Sequence, residues 1–127
     1  MQPCDMNVIV VDDDEQVAEL YTDILKSIGI IAHTFTDPHK ALGYLSTAEN
    51  RLDLVISDFN MPGLNGHDLI RIILHNSSNK HTRFIMISGY EIDKSNLDGI
   101  VFMKKPLARI RDFREHIKSI SEEMKCF

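Results

Sequence analysis

The sequence predicts an α/β fold in which a parallel five-stranded sheet is covered by helices on both faces. Short apolar runs rich in β-branched residues alternate along the chain with stretches of helical period, which is typical of consecutive strand–helix units. These runs are continuously apolar, as expected for strands that are buried on both faces. With 127 residues and 43% hydrophobic content, the chain has the size of one compact domain, predicted to span residues 1–127.

The first strand and the first helix are predicted between residues 8 and 28. Residues 8–11 read Val-Ile-Val-Val and stop at Asp12, the first of three consecutive aspartates. Apolar residues then recur at three- and four-residue spacing up to Ile28, and Gly29 follows as a typical helix-ending residue. Acidic side chains are therefore expected at the C-terminal end of this strand.

The second strand–helix unit follows directly. Residues 30–35 are the strand, and Asp37 then places a capping carboxylate before Pro38, a residue suited to a first helical turn. The apolar residues that follow predict the second helix over residues 38–45.

The third strand also ends in a carboxylate. Residues 52–58 form this strand, and Asp58 is its last residue. Residues 61–66 contain proline, asparagine and two glycines and are predicted as a turn-rich loop. Apolar residues at helical spacing predict the third helix over residues 67–76.

Two further strands complete the predicted sheet. Residues 84–87 form the fourth strand, which closes at Ser88, and residues 100–103 form the fifth. A short polar segment, residues 90–99, lies between them. Apolar residues at helical spacing predict the last helix over residues 107–120.

Composition restricts the possible function. The net charge of −5, from 19 acidic and 14 basic residues, argues against a nucleic-acid-binding surface, because phosphate contacts need clustered lysine and arginine. The apolar runs are far shorter than the roughly 20 residues that span a bilayer. Cys4 and Cys126 lie near opposite termini, so neither a disulfide framework nor a zinc site is predicted. We therefore expect a cytoplasmic protein whose partners are proteins.

Polar side chains from four strand ends are predicted to meet at one edge of the sheet. Ligand sites of open parallel α/β sheets form beyond the C-terminal ends of the strands. The residues found there are Asp12, Asp13, Asp58, Ser88 and Lys105. Three crowded carboxylates repel one another unless a divalent cation neutralises them. Oxygen ligands without histidine or cysteine favour Mg²⁺, so the sequence predicts a magnesium site.

The same residues predict a reaction. A carboxylate beside Mg²⁺ and a lysine can attack phosphorus, because the cations offset negative charge on the phosphoryl oxygens. The predicted product is an acyl phosphate on Asp58, with Lys105 as the positive charge beside a phosphoryl oxygen. The hydroxyl of Ser88 can donate a hydrogen bond to another phosphoryl oxygen and draw its loop inward.

Each of these signals has an ordinary structural explanation when it is taken alone. Residues 12–14 could be a helix start, where carboxylates are favoured by the positive end of the helix dipole. Asp58 could be a turn former, and Lys105 an ordinary surface lysine. Their joint occurrence at four strand ends favours a common site over coincidence.

Four motifs resemble the response-regulator receiver family of two-component signalling. They are, in order, Val-Val-Asp-Asp, Ser-Asp-Phe-Asn-Met-Pro-Gly-Leu-Asn-Gly, Ile-Ser-Gly and Lys-Lys-Pro. The resemblance covers nearly the whole chain and implies a flavodoxin-like, doubly wound (βα)₅ sheet with strand order 2-1-3-4-5. It also implies phosphoryl donation by a histidine kinase or histidine phosphotransfer protein, a downstream protein target and the possibility of a homodimer.

The resemblance further implies a role for each matched residue. The phosphoacceptor falls on Asp58, and the switch residues fall on Ser88 and Phe102. Asp13, Asp58 and the backbone carbonyl of Asn60 are implied as direct Mg²⁺ ligands. Asp12 is implied to assist catalysis and to contact Mg²⁺ through water, and Lys105 is implied as a catalytic residue.

Two features depart from the family pattern. The 17-residue step from Ser88 to Lys105 is shorter than usual, so the fourth helix, within residues 90–99, is expected to be shortened or replaced by a loop. Output through that face is therefore in doubt. Phe102 stands where many relatives have tyrosine, so a switch there must work by burial of the ring. We hypothesise that this ring turns inward when Ser88 engages the phosphoryl group, and that Tyr90 partly shields that group from water.

Two other functions have to be weighed. A haloacid-dehalogenase-type phosphatase also forms an aspartyl phosphate, but it needs a second acid two residues later, where this chain has Asn60. A phosphorylation-independent interaction module could keep the fold alone. The complete set of acidic residues, Ser88 and Lys105 argues against that, because the fold does not require a cluster of like charges.

Overall fold

The computed structural model describes residues 6–47, 51–89, 100–105 and 110–124 and contains a five-stranded parallel sheet. Its strands, together with a small hairpin, are β1 (Val8–Val11), β2 (Ala32–Phe35), β3 (Leu54–Asp58), β4 (Asn60–Met61), β5 (Leu64–Asn65), β6 (Arg83–Ser88) and β7 (Val101–Lys104). The order in the large sheet is β2-β1-β3-β6-β7, with every neighbouring pair parallel. The predicted order 2-1-3-4-5 is therefore confirmed.

The described helices lie where helical spacing predicted them. They are α1 (Glu15–Ser27), α2 (Pro38–Thr47), α3 (Gly66–His75) and α4 (Ile110–Glu123), with a 3₁₀ turn at Ser77–Asn79. The segment predicted as a shortened helix, residues 90–99, lies outside the described residues, as do residues 106–109 before α4. No helix in the described ranges is long and apolar enough to cross a membrane.

Local signals explain both ends of α1. The side chain of Asp14 caps the helix by accepting from the backbone amides of Gln16 and Val17 at 3.0 and 3.3 Å. At the other end, Gly29 adopts a φ of 85°, a left-handed conformation that glycine tolerates without steric cost. Of the three consecutive aspartates, the third therefore belongs to the helix, and the first two are left to the strand end.

The apolar side chains form two cores, one on each face of the sheet. Along β1, Val8 and Val10 pack into the core beneath α1 and α4, while Ile9 and Val11 pack into the core beneath α2 and α3. This alternation follows from the two-residue side-chain period of a strand. All four residues are fully buried, which explains why the strand is apolar throughout.

A short antiparallel hairpin replaces part of the predicted turn-rich loop. In β4 and β5, Asn60 pairs with Asn65 and Met61 pairs with Leu64. Gly63, in the turn between them, has a φ of 79°, which accounts for the glycine. Strands of two residues are too short to give an alternating pattern, so the sequence did not reveal them. The hairpin fixes the backbone immediately after β3.

Candidate functional site

The carboxyl ends of four parallel strands bring the predicted site residues to one edge of the sheet. In the register of the sheet, Val11 lies beside Ser57, Asp58 beside Ile87, and Ser88 beside Lys104. Asp12 is therefore one step beyond β1 and next to the end of β3. The parallel arrangement alone accounts for this convergence of residues that are distant in sequence.

Three carboxylates form the acidic part of the site. Oxygen atoms of Asp12, Asp13 and Asp58 lie within 4.8 Å of one another. Asp12 is fully buried and Asp58 is 6% exposed, whereas Asp13 faces solvent. The cluster contains oxygen donors only, which suits a hard divalent cation such as Mg²⁺. The donor chemistry expected from the sequence is thus present at this edge.

Lys105 bridges two of the carboxylates. Its Nζ atom lies 2.8 Å from Oδ2 of Asp12 and 3.3 Å from Oδ2 of Asp58. Burial by itself lowers the pKa of Lys105, but the hydrogen bond and charge of Asp12 and the charge of Asp58 outweigh burial and raise it. The lysine therefore stays protonated at neutral pH. Among the residues that the structure describes, Lys105 contacts two of the three clustered carboxylates, and Asp13 adds a further negative charge for a cation to neutralise.

Asp12 and Asp58 differ in how their oxygens are engaged. Both oxygens of Asp12 have partners, because Oδ1 accepts from the backbone amide of Asp14 at 2.9 Å and Oδ2 contacts Lys105. The contacts of Asp58 are longer, because Oδ1 accepts from the backbone amide of Asn60 at 3.2 Å and Oδ2 lies 3.3 Å from Nζ of Lys105. Burial raises the pKa of Asp58, and the nearby charge of Asp12 adds to this, against the opposing effects of Lys105 and the Asn60 amide.

The hydroxyl of Ser88 is hydrogen-bonded to the side chain of Asn60, a contact that the sequence did not predict. The Nδ2 atom of Asn60 donates to Oγ of Ser88 at 2.9 Å, although Asn60 was expected to act through its backbone carbonyl. The backbone carbonyl of Ser88 accepts from the amide of Lys105 at 2.7 Å. Ser88, with 2% of its surface exposed, therefore lies between the loop after β3 and the end of β7.

Phe102 contacts a residue that sequence reasoning did not single out. Its partly buried ring lies 5.9 Å from the ring of Phe59 in an edge-to-face arrangement. Phe59 directly follows Asp58, is 5% exposed and also meets the ring of His67 at 4.9 Å. An apolar residue just after a strand-end aspartate was the available signal. The ring of Phe102, the predicted switch residue, thus packs directly against the ring of Phe59, the residue that follows Asp58.

The helical spacing predicted Tyr21 as an apolar position of α1, but it did not predict that this residue would lie close to the acidic cluster. It is 2% exposed, and its ring packs 5.4 Å from that of Phe113. Burial first, and then the charges of Asp12 and Asp58, raise the pKa of Tyr21 above its usual range. The phenol therefore stays neutral close to the acidic cluster. Tyr90, predicted as a shield, lies outside the described residues.

Comparison with known proteins gives the same family from sequence. The chain matches the response regulator receiver domain over residues 8–109. It is 26% identical over 113 residues to the 3′,5′-cyclic-nucleotide phosphodiesterase regA of Dictyostelium discoideum, which covers 84% of this chain and 14% of that protein. It is 26% identical over 122 residues to the two-component response regulator ARR12 of Arabidopsis thaliana, which covers 91% of this chain and 20% of that protein.

Solved structures agree on the fold. The chemotaxis protein CheY4 of Vibrio cholerae superposes with a TM-score of 0.77 at 21% identity, covering 91% of this chain and 98% of that one. The chain spans 14% and 20% of the length of the two curated relatives above, so their complete activities are properties of much longer proteins. Its match to the family profile, its sheet order and its strand-end acidic cluster together show that the chain belongs to the response regulator receiver domain family of two-component signalling.

Proposed function

We propose that Asp58 accepts a phosphoryl group from the phosphohistidine of a histidine kinase or a histidine phosphotransfer protein, in a Mg²⁺-dependent reaction. The observation that carries this proposal is the bridge of Lys105 between Asp12 and Asp58 beside a third carboxylate. A fold that needed only stability would not concentrate like charges at one edge. Family membership supports the reaction class, and the geometry supports the choice of Asp58.

The proposed chemistry assigns a task to each side chain. A carboxylate oxygen of Asp58 forms a bond to phosphorus, the phosphorus–nitrogen bond breaks, and the electron pair leaves with the imidazole of the donor. Lys105 stabilises the negative phosphoryl oxygens, and Asp12 holds the ammonium group in place through its 2.8 Å contact. Bound Mg²⁺ supplies charge neutralisation for the carboxylates and the phosphoryl oxygens.

The engagement of individual oxygens supports the proposed division of metal ligands. Asp13, Asp58 and the backbone carbonyl of Asn60 would bind Mg²⁺ directly. The carboxylate of Asp13 is exposed, and both contacts of Asp58 are long, at 3.2 Å to the Asn60 amide and 3.3 Å to Nζ of Lys105. Asp12, whose two oxygens are held by shorter contacts of 2.9 and 2.8 Å, would contact the ion through water. Magnesium commonly keeps several water ligands, which fits this arrangement.

The proposed output is a change of surface that a protein target reads. Ser88 would donate to a phosphoryl oxygen and shift the end of β6, and Phe102 would respond because its ring packs on Phe59, next to Asp58. We expect the aromatic NMR signals of Phe102 to shift when a beryllofluoride phosphate mimic binds with Mg²⁺. Unchanged signals at saturating beryllofluoride would contradict a switch at Phe102.

Intact-mass measurement tests the reaction itself. The protein is incubated with acetyl phosphate in the presence of Mg²⁺ or of a chelator. We expect a mass gain of one phosphoryl group with Mg²⁺, and little or none with the chelator, because the carboxylates then repel the incoming phosphate. Equal gain under both conditions would contradict the metal requirement. No gain with Mg²⁺ would favour a phosphorylation-independent interaction module.

The effect of Mg²⁺ on thermal stability should depend on pH. Because the folded protein raises the pKa of Asp58, this group contributes stability that is present below its unfolded pKa and is lost as pH rises through the folded pKa. Above that range the buried, ionised carboxylate lowers the stability of the folded protein, and a bound cation offsets this loss. We therefore expect the Mg²⁺-induced increase in Tm to be large near neutral pH and to shrink as the solution is acidified. A Tm increase independent of pH would contradict binding at Asp58.

A further inference from the structure

We infer that the side-chain amide of Asn60 positions the hydroxyl of Ser88 for its contact with the phosphoryl group, an inference that rests on the proposed function. Nδ2 of Asn60 and Oγ of Ser88 are 2.9 Å apart. An amide nitrogen can only donate, so Oγ is the acceptor and its own hydrogen has to point in another direction. A hydroxyl that accepts from Asn60 can donate to the phosphoryl group at the same time.

Asn60 contacts both members of the site that have to cooperate. Its backbone amide donates to Oδ1 of Asp58 at 3.2 Å, and its side chain donates to Ser88. One residue thus links the proposed phosphoacceptor to the hydroxyl that senses its phosphorylation. This side-chain contact is separate from the backbone-carbonyl role expected in metal binding.

The backbones on both sides of this hydrogen bond are held in place. Asn60 pairs with Asn65 in the β4–β5 hairpin, and the amide of the preceding Phe59 donates to the carbonyl of Ile87 at 2.9 Å. On the other side, the carbonyl of Ser88 accepts from the amide of Lys105 at 2.7 Å. With both backbones held, the hydrogen bond from Asn60 restricts the side-chain torsions of Ser88 before any phosphate arrives.

The difference in burial makes Asn60 the controlling partner. Ser88 is 2% exposed, so few alternatives in solvent compete for its hydroxyl, whereas Asn60 is exposed. Without the amide, a serine hydroxyl can rotate to bond with nearby backbone groups. Loss of one neutral hydrogen bond corresponds to about a two- to tenfold change in an equilibrium constant. That is the size of effect expected on the binding of a phosphate mimic.

The first measurement needs no ligand. In ¹H NMR couplings between Hα and Hβ, Ser88 should show one side-chain rotamer in the wild type and averaged rotamers in Asn60→Leu, which keeps the approximate size but lacks the amide. Asn65→Asp serves as the control, since it alters the pairing partner of Asn60 but keeps a carboxylate cap on α3. Unchanged Ser88 couplings in Asn60→Leu would overturn the inference.

The second measurement is a double-mutant cycle with beryllofluoride in the presence of Mg²⁺. Asn60→Leu should weaken beryllofluoride binding by about two- to tenfold in the wild-type background and have little further effect in Ser88→Ala, because the amide acts through that hydroxyl. Equal weakening in both backgrounds would overturn the inference. If the wild type binds no beryllofluoride while the Ser88 rotamer still follows Asn60, the positioning contact is supported and the proposed function fails.

Discussion

Replacing Asp58 with asparagine is expected to abolish phosphorylation by acetyl phosphate and Mg²⁺ and, in the same protein, to raise the Tm measured without metal. The amide cannot form the acyl phosphate, so the mass gain should disappear altogether. The neutral side chain also removes a buried carboxylate whose pKa the fold raises, and the ionised form of that carboxylate is unfavourable at neutral pH. Intact mass and thermal unfolding of one sample give both values.

Opposite signs for activity and stability make this variant informative. Loss of the mass gain through misfolding would lower the Tm, whereas the proposed role predicts a Tm that rises by a few degrees. Asp68→Asn is the matched control, because it removes the same charge from a partly exposed position in the first turn of α3. We expect it to keep the phosphoryl mass gain. A full mass gain in Asp58→Asn would contradict the proposal and would mean that another residue is the phosphoacceptor.

The sheet was predictable from the sequence because its strands are buried on both faces. Continuous apolar runs such as the one at β1 do not depend on distant contacts to be recognised, and parallel connections require the helical stretches that separate them. Asp12, Asp58 and Ser88 were placed correctly at the carboxyl edge for the same reason, since each follows such a run directly. Their distances then follow from the pairing of neighbouring strands.

What the sequence left hidden depends on side-chain direction and on very short elements. The contact of the Asn60 amide with Ser88 joins residues 28 positions apart, and Asn60 lies in β4, a strand of two residues that is too short to give a pattern. The packing of Phe102 on Phe59 likewise reflects ring orientations that no periodicity encodes. Roles for the site residues follow from chemistry and family resemblance, and the mutations above are what test them.

Gly66→Ala is expected to destabilise the protein by about 2 kcal/mol, the usual range for overpacking a filled core being about 1–3 kcal/mol. A Cβ atom on Gly66 would overlap Cδ2 of the Phe59 ring and lie 2.7 Å from Cε2 and 2.9 Å from Cγ. The ring has little room to retreat, because His67 and Phe102 pack against it. The backbone of Phe59 is also held, since its carbonyl accepts from the amide of Gly66 at 2.7 Å.

The same substitution should slow phosphorylation, because Phe59 is bonded directly to Asp58 and a backbone shift that relieves the overlap would displace the carboxylate that has to meet phosphorus. Gly43→Ala is the matched control, as this helical glycine of α2 has nothing within 4 Å of an added Cβ, and alanine there should be neutral or stabilising by up to about 1 kcal/mol. The Tm should therefore fall in Gly66→Ala and stay the same or rise in Gly43→Ala. Adding Phe59→Leu to Gly66→Ala should recover part of the lost stability, since a smaller side chain admits the new methyl group. If Gly66→Ala matches Gly43→Ala in Tm and phosphorylates at the wild-type rate, the Phe59 ring is not what fixes Asp58.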